Sequence, residues 1–201
     1  MGSLLYPNAR ETLLDAAIHI AATQGPEKVT YRSVGAQAGL SHSLVRFYFG
    51  SREVLLTQAF ERAARRDAAD TGLLAEDVES FGAGLVRTIT EEPDRQLIQY
   101  DFLLRAVRGG GPIEPVTELY DHYIGQISGT LANLGVEDPG HPLAALVFAA
   151  LDGLVLQHSI YRSAERTERV LDELRSILML VQSAARSADR AQDRTDQQVL
   201  R

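Results

Sequence analysis

Apolar residues recur at three- and four-residue spacing along most of the chain, and no stretch alternates as a half-buried strand does. Leu13, Leu14, Ala17, Ile18, Ala21 and Ala22 form a first stripe. Pro7 suits its opening turn, where a missing N–H costs nothing, and Gly25-Pro26 stops it. Thr30 is placed to cap a second helix, with Val34 and Ala38 facing inward and Gly39 at its left-handed end. Ser41 is placed to cap a short third helix ending near Gly50, and Ser51 opens a longer one through Val54, Leu55, Ala59, Phe60 and Ala63. Five more helices are expected over 74–91, 94–108, 114–134, 142–163 and 166–187. The breaks between them are Glu92-Pro93-Asp94, Gly109 to Pro112 and Gly135 to Pro142. The pattern predicts an all-α protein of about nine helices, three of them in an N-terminal helix-turn-helix, followed by a larger helical bundle. Residues 188–201 are polar and lack periodicity, and read as a mobile tail.

The turn between the second and third helices carries the chemistry. Two short helices joined by a glycine, with Leu40 plugging the core just after it, make a helix-turn-helix pattern. Gly35 and Ala38 let the two helices approach. The third helix then presents His42, Ser43, Leu44, Arg46, Phe47 and Tyr48, a donor-rich and aromatic mixture. A DNA major groove admits one such helix, whose N-terminal residues face base edges. Read alone, the segment also fits a plain helical hairpin with buried aromatics.

Its flanks favour the first reading. Arg10, Leu13-Leu14, Ala16-Ala17 and Gly25, then Thr30, Val34, Ala38-Gly39 and Leu40-Ser41, then Tyr48-Phe49, Gly50-Ser51-Arg52-Glu53 and Leu55 together resemble the tetracycline-repressor (TetR) family. The resemblance spans about a quarter of the chain, residues 10–60. It implies a DNA-binding helix-turn-helix over 7–50 and an effector-binding, dimerising helical domain over 51–187. It makes Thr30, Tyr31, Ser41, Tyr48 and Arg52 candidates for phosphate contact, and His42, Ser43, Leu44, Arg46 and Phe47 candidates for base edges. The residues by themselves leave alternatives open: Thr30 and Ser41 as caps only, Phe47 as core, Arg46 and Arg52 as solvated charges. Four positions depart from the usual family pattern. Ala21 replaces a Phe, Ser33 an acidic residue that would complete a capping box with Thr30, Arg46 a Tyr, and Arg52 a Lys. The Ser33 change is expected to weaken the start of the second helix. Arg46 brings a planar fork able to meet guanine O6/N7 or a phosphate.

In the larger domain Val170, Leu174, Ile177 and Val181 repeat at helical spacing, with Leu171 and Leu178 widening the stripe. The preceding helix, with Leu151, Leu154, Val155 and His158, is apolar around much of its circumference. Leu151, Leu154, Val155, His158, Val170, Leu174, Ile177, Leu178 and Val181 are therefore expected in a homodimer interface, two helices from each subunit making a four-helix bundle. Tyr100, Phe102, Tyr120, His122, Tyr123, Phe148, His158 and Tyr161 are candidates to line a small-molecule effector pocket, with ordinary core packing as the alternative.

Charge changes the picture only when divided. The net charge is −7, yet residues 1–62 carry six Lys/Arg against five Asp/Glu, while residues 63–201 carry fourteen against twenty-two. The acidic excess lies wholly in the larger part, which leaves the N-terminal part free to meet DNA. There is no cysteine, so disulfides and thiol chemistry are excluded. No Gly-rich phosphate loop, nucleophile elbow or His-x-x-x-His spacing supports an enzyme, and neither a metal nor a cofactor is expected. The first residues lack the basic flank of a signal peptide, and no window is expected to approach the run of about 18 apolar residues that spans a membrane. The expected partners are double-stranded operator DNA, a second copy of the chain and a small-molecule effector, in the cytoplasm. A single Lys against nineteen Arg fits a GC-rich bacterial genome. The expected function is a repressor released from a pseudo-palindromic operator by its effector. Competing readings are an activator or effector-independent DNA binder of the same fold, an all-α enzyme, and a helical interaction module.

Overall fold

The computed structural model describes residues 8–199, and of the last helix the side chains through Ser187 and at Arg190. Pro7, expected to open the first helix, lies outside the described residues, as do Leu200 and Arg201. The described residues form nine α-helices and no strand: α1 (Ala9–Gln24), α2 (Tyr31–Ala38), α3 (His42–Phe49), α4 (Arg52–Asp70), α5 (Leu85–Glu91), α6 (Pro93–Val107), α7 (Glu114–Asn133), α8 (Pro142–Tyr161) and α9 (Ala164–Val199). A 3-10 turn, Pro26–Lys28, separates α1 from α2. The all-α expectation holds.

The chain folds as two compact units, the first taking in the described residues through Ala69 together with Glu91–Leu119, the second Asp70–Thr90 with Tyr120 onward. The boundary expected at residue 50 falls inside the first unit. Its core is a single cluster in which Leu13, Leu14, Ala17 and Ile20 of α1 meet Val34 of α2, Val45 and Phe49 of α3, Leu55 and Ala59 of α4, and Ile98 of α6. Each large side chain buried there stabilises the unit by about 1.5–3 kcal/mol. Ala21, where a Phe is usual, is fully buried, and Ile98 completes the cluster from α6. Phe60 of α4 stacks on Phe102 of α6 with centroids 4.3 Å apart. Polar ties flank this packing. Arg62 donates to both carboxylate oxygens of Asp15, at 2.7 and 3.1 Å, and Arg66 adds a bond of 2.9 Å to the same group. The hydrogen bond from Arg62 to Asp15 holds the guanidinium above its usual pKa. The buried Asp67 accepts from Gln96 at 2.6 Å.

In the second unit the helix expected over 74–91 begins only at Leu85. Residues 71–84 fold instead as a sequence of turns, and glycine is the reason. Gly72 and Gly82 take positive φ, and a Cβ on Gly84 would lie 1.7 Å from the carbonyl oxygen of Asp70. Asp77 accepts from the backbone N–H and the hydroxyl of Ser80, closing a local turn in place of a helix. Thr130 of α7 pins this segment by accepting from Ala75 N–H at 2.7 Å and donating to the Leu73 carbonyl at 2.6 Å. Phe81, Ile127, Leu131, Leu151, Leu154, Leu171 and Leu178 are among the buried apolar residues of this unit.

Two further expectations are corrected. The last helix does not end at Ser187: α9 runs on through Val199. No Gly or Pro interrupts Ala164–Val199, and its Ala, Arg and Gln content keeps helix propensity high where the apolar stripe has stopped. The helix Pro142–Tyr161 is also, by length and composition, long and apolar enough to cross a membrane, with a mean hydropathy of 1.7, although a third of it is buried inside the fold. Its apolar character is spread over two faces. One packs inward through Ala144, Val147, Leu151 and Leu154; the other leaves Leu146 and Ile160 exposed.

Candidate nucleic-acid interface

The reading helix α3 is positioned from both ends and from below. At the start of α2, Thr30 adopts an extended conformation and its hydroxyl accepts from Ser33 N–H at 3.1 Å. Ser33 answers by accepting from Thr30 N–H at 2.9 Å, so the capping box is complete. The expectation that Ser33 weakens this start is corrected. Its short hydroxyl reaches the cap backbone and also donates to the Lys28 carbonyl at 2.7 Å, which an acidic side chain does not do.

Gly39 ends α2 in the left-handed conformation, φ 66°, and Leu40 N–H donates back to the Gly35 carbonyl at 2.9 Å. Gly35 is needed for a different reason. A Cβ there would stand 2.9 Å from the Leu40 carbonyl oxygen and 3.0 Å from His42 N, so its absence sets how closely α3 lies on α2. Ser41 then caps α3 by accepting from Leu44 N–H at 3.2 Å. Val45 and Phe49 face the core.

This packing divides the sequence candidates. His42, Ser43, Arg46 and Phe47 are all exposed, while Leu44 and Tyr48 are half-buried against the cluster. Phe47 is 79% exposed, so it is not core. Neither His42 nor Arg46 makes a side-chain hydrogen bond or ion pair among the described residues. Thr30 and Ser41 are both exposed and both act as caps. Tyr31 gives its phenolic proton to the Gly50 carbonyl at 2.7 Å, which leaves it no proton for a phosphate. Arg52 donates from Nε to the Val29 carbonyl at 2.8 Å and from its terminal nitrogen to the Pro26 carbonyl. Those bonds tie the side chain to the 3-10 turn with two of its five N–H donors, a structural role beside the expected phosphate contact. The sequence reading passed over Lys28, Arg32 and Gln37, all exposed. Arg32 lies on the side of α2 opposite Val34 and Ala38, which is the sequence signal for it, while Gln37 lies at the edge of their face.

The expected effector-lining residues are divided between the two units. Phe102 belongs to its stack with Phe60 in the first unit, where Tyr100 is half-buried. In the second unit, Tyr120 meets Phe148 edge-on with centroids 4.8 Å apart, and Tyr123 stacks on Phe148 at 5.4 Å. Tyr120 donates to Asp152 at 3.4 Å; burial first, and that carboxylate second, raise the phenol's pKa to about 12. His122 is exposed, and Tyr161 is exposed beneath the Arg166 guanidinium, 4.2 Å from its ring centroid. His158 is buried, with Nδ1 2.8 Å from the Thr167 hydroxyl, and is a hydrogen-bonded core histidine.

The expected dimer stripe divides too. Leu151, Leu154, His158 and Leu178 are buried within the subunit and are corrected to core; Val155, Leu174 and Val181 are half-buried; Val170 and Ile177 are exposed. The stripe on α9 is wide enough to face inward and outward at once, and spacing alone did not say which residues took which side.

Residues 13–59 match the family described as bacterial regulatory proteins, tetR family, and residues 74–180 match the tetracyclin repressor-like C-terminal domain. The HTH-type transcriptional regulator BetI of Agrobacterium fabrum (strain C58 / ATCC 33970) is 26% identical over 167 residues, covering 80% of this chain and 81% of that protein. Its namesake from Rhizobium meliloti is 42% identical over 52 residues, 26% of either chain. Among solved structures, a putative TetR-family transcriptional regulator from Rhodococcus sp. superposes with a TM-score of 0.69 at 19% identity, covering 88% of this chain and 99% of that one. The multidrug binding protein EbrR complexed with imidazole gives 0.57 at 21% identity, covering 82% and 93%. At these identities the structures establish the fold alone. With the reading head and most of the larger domain both matched, the chain belongs to the tetracycline-repressor family and is a DNA-binding transcriptional regulator, not an enzyme.

Proposed function

We propose that this regulator is a cytoplasmic homodimeric repressor, released from a pseudo-palindromic operator by a small-molecule effector. The observation that carries the DNA-reading part is the free face of α3: His42, Ser43, Arg46 and Phe47 are exposed on a helix whose other side is locked into the core. Among the described residues His42 and Arg46 have no competing side-chain partner, so their donors are available to base edges. Thr30, Ser41 and Tyr48 flank that face toward the backbone, and Lys28 and Arg32 bring positive charge beside it.

Dimerisation is supported by apolar surface that a lone subunit leaves in water. Leu146 and Ile160 on α8, and Val170, Ile177 and Leu180 on α9, are all exposed. A homodimer carries two reading helices, which matches a pseudo-palindrome whose half-sites repeat about one DNA turn apart, roughly 34–36 Å. The effector reading rests on the Tyr120–Tyr123–Phe148 group with a polar handle at Asp152, and on the multidrug binding protein EbrR, solved in complex with imidazole and with proflavin. Release requires the effector to bind the non-operator conformation more tightly, by the coupling free energy between the two sites.

The test is a mobility shift of the purified protein on the intergenic DNA beside its own gene, at two salt concentrations, with Arg46→Ala as the control. Saturable, salt-weakened binding that outcompetes random DNA and is lost or relaxed in the variant is the expected result. Equal, weak binding of both proteins to every fragment, including those from a genome-wide selection, sinks the proposal.

A further inference from the structure

Phe47 is the most exposed of the large apolar side chains on the described surface, and it sits on the reading helix. At 100° per residue, His42 and Arg46 line up in one row of α3, and Ser43 and Phe47 in the adjacent row. The face therefore presents three donor side chains and one hydrocarbon, Phe47. The ring is also braced. Tyr48 meets Phe47 edge-on with centroids 5.4 Å apart, Tyr48 lies 6.2 Å from Phe49, and the Arg10 guanidinium sits over Phe49 at 5.9 Å. An aromatic held out into solvent by its neighbours is placed to bury itself only when a partner arrives.

In a major groove, three of the four bases offer only donors and acceptors, and thymine alone adds an apolar feature, its C5-methyl group. A benzyl side chain has nothing to exchange with the polar edges. On the basis of the DNA-reading proposal above, we propose that Phe47 reads a thymine C5-methyl in each operator half-site, beside a guanine read by Arg46. The two side chains divide recognition by chemistry. Arg46 supplies two parallel donors to O6/N7, and Phe47 supplies dispersion contact and water exclusion at the neighbouring methyl.

The experiment starts from a duplex enriched on the full-length protein from a randomised library. Each thymine is then replaced by deoxyuridine, symmetrically in the two half-sites, which deletes one methyl and leaves every hydrogen-bonding group in place. Burial of one methyl corresponds to about a fourfold affinity change per half-site, so one pair of positions weakens wild-type binding by about fifteenfold. Phe47→Ala binds the thymine and deoxyuridine duplexes equally, and Phe47→Leu keeps the discrimination. Arg46→Ala keeps the methyl effect and loses the neighbouring guanine preference. Because Phe47 is largely solvent-exposed, these variants keep the wild-type melting curve. Wild-type indifference to deoxyuridine at every position, or a methyl effect that survives Phe47→Ala, overturns the assignment while leaving sequence-specific DNA binding intact. Enrichment of no duplex over random DNA overturns the DNA-reading proposal itself.

Discussion

The phenol of Tyr31 donates to the carbonyl of Gly50 at 2.7 Å, joining the first residue of α2 to the residue that ends α3. The bond matters because α3 is only two turns long and its own C-terminal carbonyls lack intrahelical partners. Tyr31 satisfies one of them from the neighbouring helix, and in doing so helps fix the angle between the two. Tyr31→Phe keeps the ring packing and deletes this one bond. The expected loss is about 1 kcal/mol of unfolding free energy, read from urea denaturation. An unchanged midpoint shows that water replaces the phenol without cost.

Arg52 makes a sharper case, because family resemblance and geometry assign it differently. Its bonds to the Val29 and Pro26 carbonyls place the charge beneath the turn that precedes α2. Charge-assisted bonds to partly buried carbonyls are worth roughly 1.5–3 kcal/mol. Arg52→Gln is expected to lower stability by about that amount and to leave the salt dependence of DNA binding unchanged. A phosphate contact predicts the opposite pattern, a salt slope reduced by about one unit with little change in melting. Measuring both on one variant separates the two roles.

What the sequence disclosed and what it hid differ by physical cause. Caps, turn glycines and the order of helices were legible around α1–α3, because Thr30, Gly39 and Ser41 act on backbone groups only a few residues away. Local chemistry also lies behind the segment 71–84, where Gly72, Gly82 and Gly84 break a helix that the apolar periodicity favours. Hidden instead were the long-range choices. Nothing in the spacing of residues 170–181 tells that Leu178 turns inward while Ile177 turns outward. Nothing near Arg52 tells that its partners lie 23 and 26 residues earlier. Phe47 is the converse: an aromatic at helical spacing is ordinarily core, and only the packed structure shows it in solvent.

His158 carries a pH dependence with a definite sign. Thr167 gives its hydroxyl proton to the Ser163 carbonyl at 3.0 Å, so it accepts from His158, which is therefore protonated at Nδ1. Burial pushes the imidazole pKa below its ordinary 6.5. Between the depressed value and 6.5 the unfolded chain binds more protons than the folded one, so stability is full above about pH 6.5 and declines as pH falls through this window. His158→Gln retains a donor toward Thr167 and does not titrate. The expected result is a urea midpoint that drops between pH 7.5 and pH 5.5 in the wild type, with a smaller drop in the variant. Parallel drops in the two proteins locate the titrating group elsewhere.

The outward face of α8 offers the cleanest test of dimerisation, through a residue with no side chain. Leu146, Ala149, Ala150, Gly153, Gln157 and Ile160 fall on one side of the helix, and a Cβ built on Gly153 meets nothing within 4 Å in the subunit. In a lone subunit the Cβ of Gly153→Leu meets open space, and replacing a mid-helix glycine gains roughly 0.5–1 kcal/mol of helix stability. In a dimer whose α8 helices cross here, the same side chain enters the interface and holds the backbones apart. The two states thus respond with opposite signs to one substitution. The expected outcome is a wild-type dimer by light scattering, a Gly153→Leu protein shifted toward monomer, and operator binding weakened in proportion, since a single head engages only one half-site. A variant that remains dimeric and melts higher moves the interface off this face of α8 and leaves α9, with Val170, Ile177 and Leu180, to carry it alone.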